Sequence, residues 1–157
     1  MPTTQQTHET EPLGKYISII HRYGHSFLEK RLGHLNISGG DLPYISVIHR
    51  NEGLNQDELS ESLGVDKTTT ARIVKKLINL GYVSRNHDVN DKRVYRLHLT
   101  PQAKAIIPQI KQATAEWNSA ISRGLSEAEK AQSQEALRRM AENARKLKEN
   151  NYQGLIY

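Results

Sequence analysis

The 157-residue sequence predicts a mainly α-helical fold with one small β-hairpin set into it. Three observations carry that expectation. Apolar residues recur at helical spacing towards both ends of the chain, two shorter helical stretches in the middle are separated by a glycine-containing turn, and just beyond them the apolar period changes from about 3.6 to about 2. Two helices about a tight turn followed by a hairpin describe a winged helix-turn-helix, here with long helices outside it.

The first long helix is expected from Leu13 to Leu35, where Leu13, Tyr16, Ile17, Ile20, Phe27, Leu28, Leu32 and Leu35 keep one face apolar and Gly24 is the weak point. Asn36 to Asp41 is a turn cluster. A shorter helix starts near Pro43, buries Leu42, Ile45 and Ile48, and stops at Gly53. Asn55 and Glu58 have capping-box spacing, so a helix of about two turns follows, with Leu59 and Leu63 on one face and Gly64 at its end. Asp66 caps the next helix, which Gly81 closes. A step of about 100° per residue puts Thr70, Ile73, Val74 and Leu77 on one side of that helix and Thr68, Arg72, Lys75 and Asn79 on the other. One side is core and the other a polar, basic face. Tyr95, Leu97 and Leu99 then alternate with Val94, Arg96 and His98, Tyr82 to Arg85 is the matching strand, and Asn90-Asp91 supplies turn chemistry between them. That hairpin is the wing. Thr100-Pro101 opens a long helix carrying Ala103, Ile106, Ile107, Ile110, Ala113, Trp117 and Ile121, with a bend expected at Pro108. Ser126 and Glu129 form a second capping box before a last helix bearing Ala131, Leu137, Met140, Ala144 and Leu147. The closing Leu155-Ile156-Tyr157 is expected to be frayed or docked on a partner.

Composition removes whole classes of chemistry. The chain has no cysteine, which excludes disulfide scaffolds, thiolate metal sites, cysteine nucleophiles and thiol-based redox sensing. Residues 1–12 are polar and read as a disordered tail rather than a signal peptide, and with no bilayer-length apolar run the expected location is cytoplasmic. Charge is unevenly placed. Between Lys67 and Arg96 stand eight basic residues, Lys67, Arg72, Lys75, Lys76, Arg85, Lys92, Arg93 and Arg96, against only Asp88 and Asp91, while the rest of the chain is within one charge of neutral. A positive field confined to the turn-linked helices and hairpin points to a polyanionic partner, double-stranded DNA.

The run Gln56-Asp-Glu-Leu-Ser60 through Leu63-Gly-Val-Asp-Lys-Thr-Thr69, then Leu77-Ile-Asn-Leu-Gly81-Tyr-Val-Ser-Arg85, and Asp91-Lys-Arg93 followed by Leu97-His-Leu-Thr100 make up a set of motifs in fixed order. In these motifs the sequence resembles the MarR family of winged-helix transcriptional regulators. One departure is Pro101-Gln-Ala103, where the family usually places a charged residue and then glycine. The resemblance implies an obligate homodimer whose lobe is built from residues 13–35 and 101–157, with residues 36–100 as the winged DNA-binding domain. Apolar stripes on the outer helices agree, because a small winged domain cannot bury them alone.

On that frame Thr68, Thr69 and Arg72 are expected near base edges in the major groove, Lys75 and Lys76 towards phosphates, and Lys67 at the helix start where free amides also favour a phosphate. In the wing, Arg93 is expected in the minor groove, oriented by Asp91 and flanked by Lys92. The resemblance also implies a cleft between lobe and winged domain for a small aromatic carboxylate or phenol, with Lys15 and Arg22 as anion partners and Tyr23, His25 and His49 as walls. His21 and His25 stand four residues apart, a spacing that suits a metal, with Glu29, His34 or His49 as further ligands; two imidazoles alone bind weakly, so no metal or other cofactor is expected. Catalysis is not expected either: there is no Gly-x-Ser-x-Gly elbow, and Gly64-Val-Asp-Lys-Thr lacks phosphate-loop spacing. The function read from the sequence is a DNA-binding repressor relieved by a small ligand. Its rivals are a ligand-independent architectural protein and a metal-responsive regulator.

Overall fold

The computed structural model describes residues 11–153. The Leu155-Ile156-Tyr157 segment and residues 1–10 of the expected tail lie outside that range. The described chain folds as α1 (Leu13–Leu32), a 3-10 turn (Gly33–Leu35), α2 (Leu42–Arg50), α3 (Gln56–Leu63), α4 (Lys67–Asn79), β1 (Val83–His87), β2 (Tyr95–Leu99), α5 (Pro101–Ile121) and α6 (Glu127–Glu149). None of these helices is long and apolar enough to cross a membrane.

Local chemistry sets most boundaries. The Asn55 side chain accepts from the Glu58 amide while Glu58 reaches back to the Asn55 amide, and Ser126 and Glu129 repeat the arrangement at α6. Thr100 caps α5 by accepting from the Ala103 amide, with Pro101 at the first helical position. Gly64 ends α3 at φ +64°, a left-handed conformation that residues with a Cβ rarely adopt, and this lets the chain turn directly into α4. The first helix stops three residues earlier than the apolar spacing suggests, because Gly33–Leu35 tightens into a 3-10 turn closed by left-handed Asn36. Pro108 lies inside α5, which runs through it to Ile121.

The core sits where α2, α3, α4 and the hairpin converge on the start of α5. Ile45, Ile48, Leu59, Leu77 and Leu97 are fully buried, with Val74, Leu99 and Ala103 beside them. β1 and β2 pair antiparallel from Val83↔Leu99 to His87↔Tyr95, and the Gly53-Leu54 segment adds main-chain bonds to Leu97 at 2.9 Å in both directions. Tyr95 departs from its expected inward place. It shares a face with Leu97 and Leu99, but lies beyond the edge of the core and is 39% exposed. α1 packs along α5, and at the crossing a Cβ on Gly24 would stand 3.2 Å from the Trp117 indole. α6 contributes no buried residue.

Candidate nucleic-acid interface

α4 begins under tight control. The Asp66 carboxylate accepts from the Thr69 amide at 2.8 Å, and that hydrogen bond holds its pKa below the usual aspartate value. The helix turns Thr70, Ile73, Val74 and Leu77 into the core, so Thr68, Arg72, Lys75 and Asn79 face outwards and Thr69 is half-buried. Lys67 stands at the exposed N-terminus, 3.0 Å from Asp57 of α3. A polar, donor-rich face therefore projects from the molecule, with α3 lying behind it.

Lys76 is placed differently from the outward, phosphate-facing position expected for it. Its ammonium reaches Asp41 at 2.5 Å, a carboxylate only 4% exposed that also accepts from the Ser38 amide at 2.7 Å and the Ser38 hydroxyl at 2.9 Å. The pair ties the turn before α2 to α4. Sequence gave no signal for it, since the partners are 35 positions apart.

The wing is organised by two aspartates. Asp91 accepts from the Arg93 amide at 3.0 Å and from the Arg93 guanidinium at 3.2 and 3.4 Å, while the arginine side chain remains 91% exposed. These bonds, the main-chain one above all, hold Asp91 below its ordinary pKa. Asp88 accepts from the amides of Asn90 and Asp91 and from Arg96 Nε at 2.6 Å; the Arg96 bond is the largest cause that takes its pKa down to about 2. Lys92 is exposed beside Arg93, and its carbonyl accepts from His87 Nδ1 at 2.6 Å. On the opposite side of the hairpin Tyr95 lies between His87, 4.4 Å away ring to ring, and the Arg85 guanidinium, 4.6 Å from its ring. The displaced Tyr95 thus stiffens the wing instead of the core. The roles of Asp88, Arg96 and Tyr95 were not assigned from sequence; the charges were visible, but their pairing depends on the hairpin register.

The residues expected around a ligand cleft are spread along two helices. Lys15 is paired with Glu11 at the start of α1, and Arg22 lies 5.8 Å from the ring of exposed Tyr23. His25 packs against Gly39 and Gly40, and His49 is exposed on α2. A separate cleft between α1 and α5 is lined by Arg31, Leu32, Gln109, Gln112, Ala113 and Glu116. The rings of His21 and His25 are 4.4 Å apart, but among the described residues no three His, Asp or Glu side chains converge as a metal site would require.

The family model that matches the chain, the MarR family, covers residues 42–95, which span α2 to the first residue of β2. The HTH-type transcriptional regulator BilQ of Clostridium symbiosum is 30% identical over 106 residues, covering 68% of this chain and 74% of that protein. The multiple antibiotic resistance protein MarR of Salmonella typhimurium is 28% identical over 110 residues, covering 70% and 76%. Among solved structures, a MarR transcriptional regulator from Methanosarcina mazei Go1 superposes with a TM-score of 0.78 at 35% identity, covering 85% of this chain and 96% of that one. α4, the hairpin and the outer helices thus occur here in the order and arrangement of those regulators, and the chain belongs to the MarR family of DNA-binding transcriptional regulators.

Proposed function

We propose that the protein is a cytoplasmic, homodimeric, sequence-specific repressor that leaves its operator when a small aromatic or anionic ligand binds. The observation that carries the dimer is an uncovered apolar surface on the outer helices. Leu13, Tyr16, Ile17, Ile20 and Tyr23 of α1, with Ile121, Leu125 and Leu137 from the other end of the chain, are all at least 40% exposed. A second copy burying that surface would give the assembly two α4 helices, as reading successive major grooves requires. In this reading residues 13–35 and 101–157 form the dimer lobe and residues 36–100 the DNA-binding domain. Thr68, Thr69 and Arg72 read bases, Lys67 and Lys75 hold phosphates, and Lys76 supports α4 through Asp41. At the wing, Arg93 enters the minor groove, oriented by Asp91, with Lys92 on the adjacent backbone.

Ligand control follows from linkage. A ligand releases DNA only if it binds a dimer with a different spacing of reading helices more tightly, and the coupling is reciprocal. Lys15, Arg22, Tyr23, His25 and His49 are the groups proposed to face it. The test is calorimetric titration of salicylate, with and without a duplex selected by the full chain from a randomised library. Bound duplex should lower salicylate affinity by a factor on the order of 5 to 150, and salicylate should lower duplex affinity equally. Equal salicylate affinity in both titrations, or no binding, removes this control. Equal affinity for all duplexes would favour the architectural reading.

A further inference from the structure

Arg96 stands on β2 opposite Asn86 of β1, and its guanidinium has three partners from three parts of the chain. Nε donates to Asp88 of the wing loop at 2.6 Å, Nη1 donates to the Gly53 carbonyl between α2 and α3 at 3.3 Å, and Nη1 lies 3.5 Å from Glu58, the capping carboxylate of α3. Asp88 passes the constraint on. Its second oxygen accepts from the Asn90 and Asp91 amides at 2.8 and 3.0 Å, and Asp91 grips Arg93 by main chain and side chain. A continuous set of hydrogen bonds therefore runs from the entry of the helix-turn-helix to the exposed arginine at the wing tip.

The backbone alone does not hold the tip in this way. The strand ladder ends at His87↔Tyr95, and the loop beyond it is closed by local bonds from Asp88 to the Val94 carbonyl and from Val94 to the Asp91 carbonyl. Two-stranded hairpins are marginal in water, so the direction of a wing relies on what anchors it to the body. A planar guanidinium with several fixed donors sets direction as well as distance, which a lysine ammonium does not.

We propose that Arg96 is a positioning residue for DNA recognition, holding the wing at a fixed angle to α4 through Asp88 and so deciding where Arg93 meets the minor groove. This rests on the reading that Arg93 enters that groove. Arg96 then acts on affinity without touching DNA, and its effect is transmitted through Arg93.

The experiment measures affinity of the full chain for a duplex that the wild-type protein selects from a randomised library, using Arg93→Ala, Arg96→Gln, Asp88→Asn and the two double variants with Arg93→Ala. Arg96→Gln removes a positive charge and Asp88→Asn a negative one, so a pure charge effect moves affinity in opposite directions, whereas loss of positioning weakens binding in both. Arg93→Ala should weaken binding on the order of 10-fold and each positioning variant roughly 5-fold, with the double variants no weaker than Arg93→Ala alone within about twofold. Tighter binding by Asp88→Asn, additive losses in the double variants, or unchanged affinity in Arg96→Gln would each overturn the proposal while sparing the minor-groove reading. No effect of Arg93→Ala removes that reading and the proposal together. Circular dichroism checks folding; should Arg96→Gln unfold, Asp88→Asn, which leaves Arg96 its bond to Gly53, carries the same comparison.

Discussion

Lys75 reaches solvent from α4, while Lys76, one position on, ends against the buried carboxylate of Asp41. The two should respond differently to the same substitution. Lys75→Met is expected to leave stability within about 0.5 kcal/mol and to reduce the salt dependence of DNA binding by about one counterion. Lys76→Met strands a buried charge that keeps only its Ser38 bonds, at a cost of roughly 1–3 kcal/mol to be read from urea unfolding. Equal stability of the two variants would refute the structural role given to Lys76. Gly24 makes a second contrast with another α1 glycine. A Cβ at Gly14 meets nothing within 4 Å, so Gly14→Ala should stabilise by up to about 1 kcal/mol. At Gly24 it would press on an indole already packed against Phe27 with ring centroids 5.6 Å apart, so Gly24→Ala should fall at least about 1 kcal/mol below its Gly14 counterpart.

At the scale of elements, the wing is the part whose structure depends most on ionised groups. Asp88 titrates near 2 in the folded protein, below its ordinary value of 3.8, so its carboxylate favours the folded wing above about pH 4 and that contribution is lost as pH falls towards 2. Nuclear magnetic resonance should show the Asp88 carboxyl carbon titrating near pH 2, with the Asn90 and Asp91 amides shifting in the same step. A midpoint near 4 would mean that Arg96 does not hold this carboxylate in solution. α3 and α4 carry single capping carboxylates, Glu58 and Asp66, and depend for the rest on burial of their inner faces. Their boundaries are legible in the sequence because a capping box, an Asp N-cap and a glycine stop act within a few residues. The wing strands are less legible: the alternation predicts β1 at Tyr82 to Arg85, whereas it lies at Val83–His87, because the ladder extends as far as cross-strand partners continue. Tyr82 is buried, but its hydroxyl is committed to the Leu35 carbonyl at 3.0 Å, a contact across 47 positions.

For the whole molecule, the decisive property is that α6 has no fully buried residue among the described ones while α1 leaves a row of large apolar side chains open. A helix of 23 residues gains most of its stability from packing rather than propensity, and in the proposed dimer the partner copy supplies that packing for α6. Leu137→Glu, at a half-exposed site on α6, should therefore shift the protein towards monomer in sedimentation experiments and reduce the concentration dependence of its melting temperature. An unchanged dimer would place the interface elsewhere. On the proposed reading the same logic extends to DNA binding, since a monomer presents one α4 and forfeits the second half-site.

The sequence by itself determined the order of elements, the caps, the inward and outward faces of α4, and the positive field around α4 and the wing. Each of these follows from local spacing or local composition, which the chain carries without folding. Only the tertiary structure decided that Lys76 is tied to Asp41, that Arg96 joins Gly53, Glu58 and Asp88, that Tyr95 stacks in the wing, and that Gly24 lies beneath Trp117. Most of those contacts join residues tens of positions apart, and even the near ones depend on hairpin register. Such pairings exist only once the core has fixed the distances between elements.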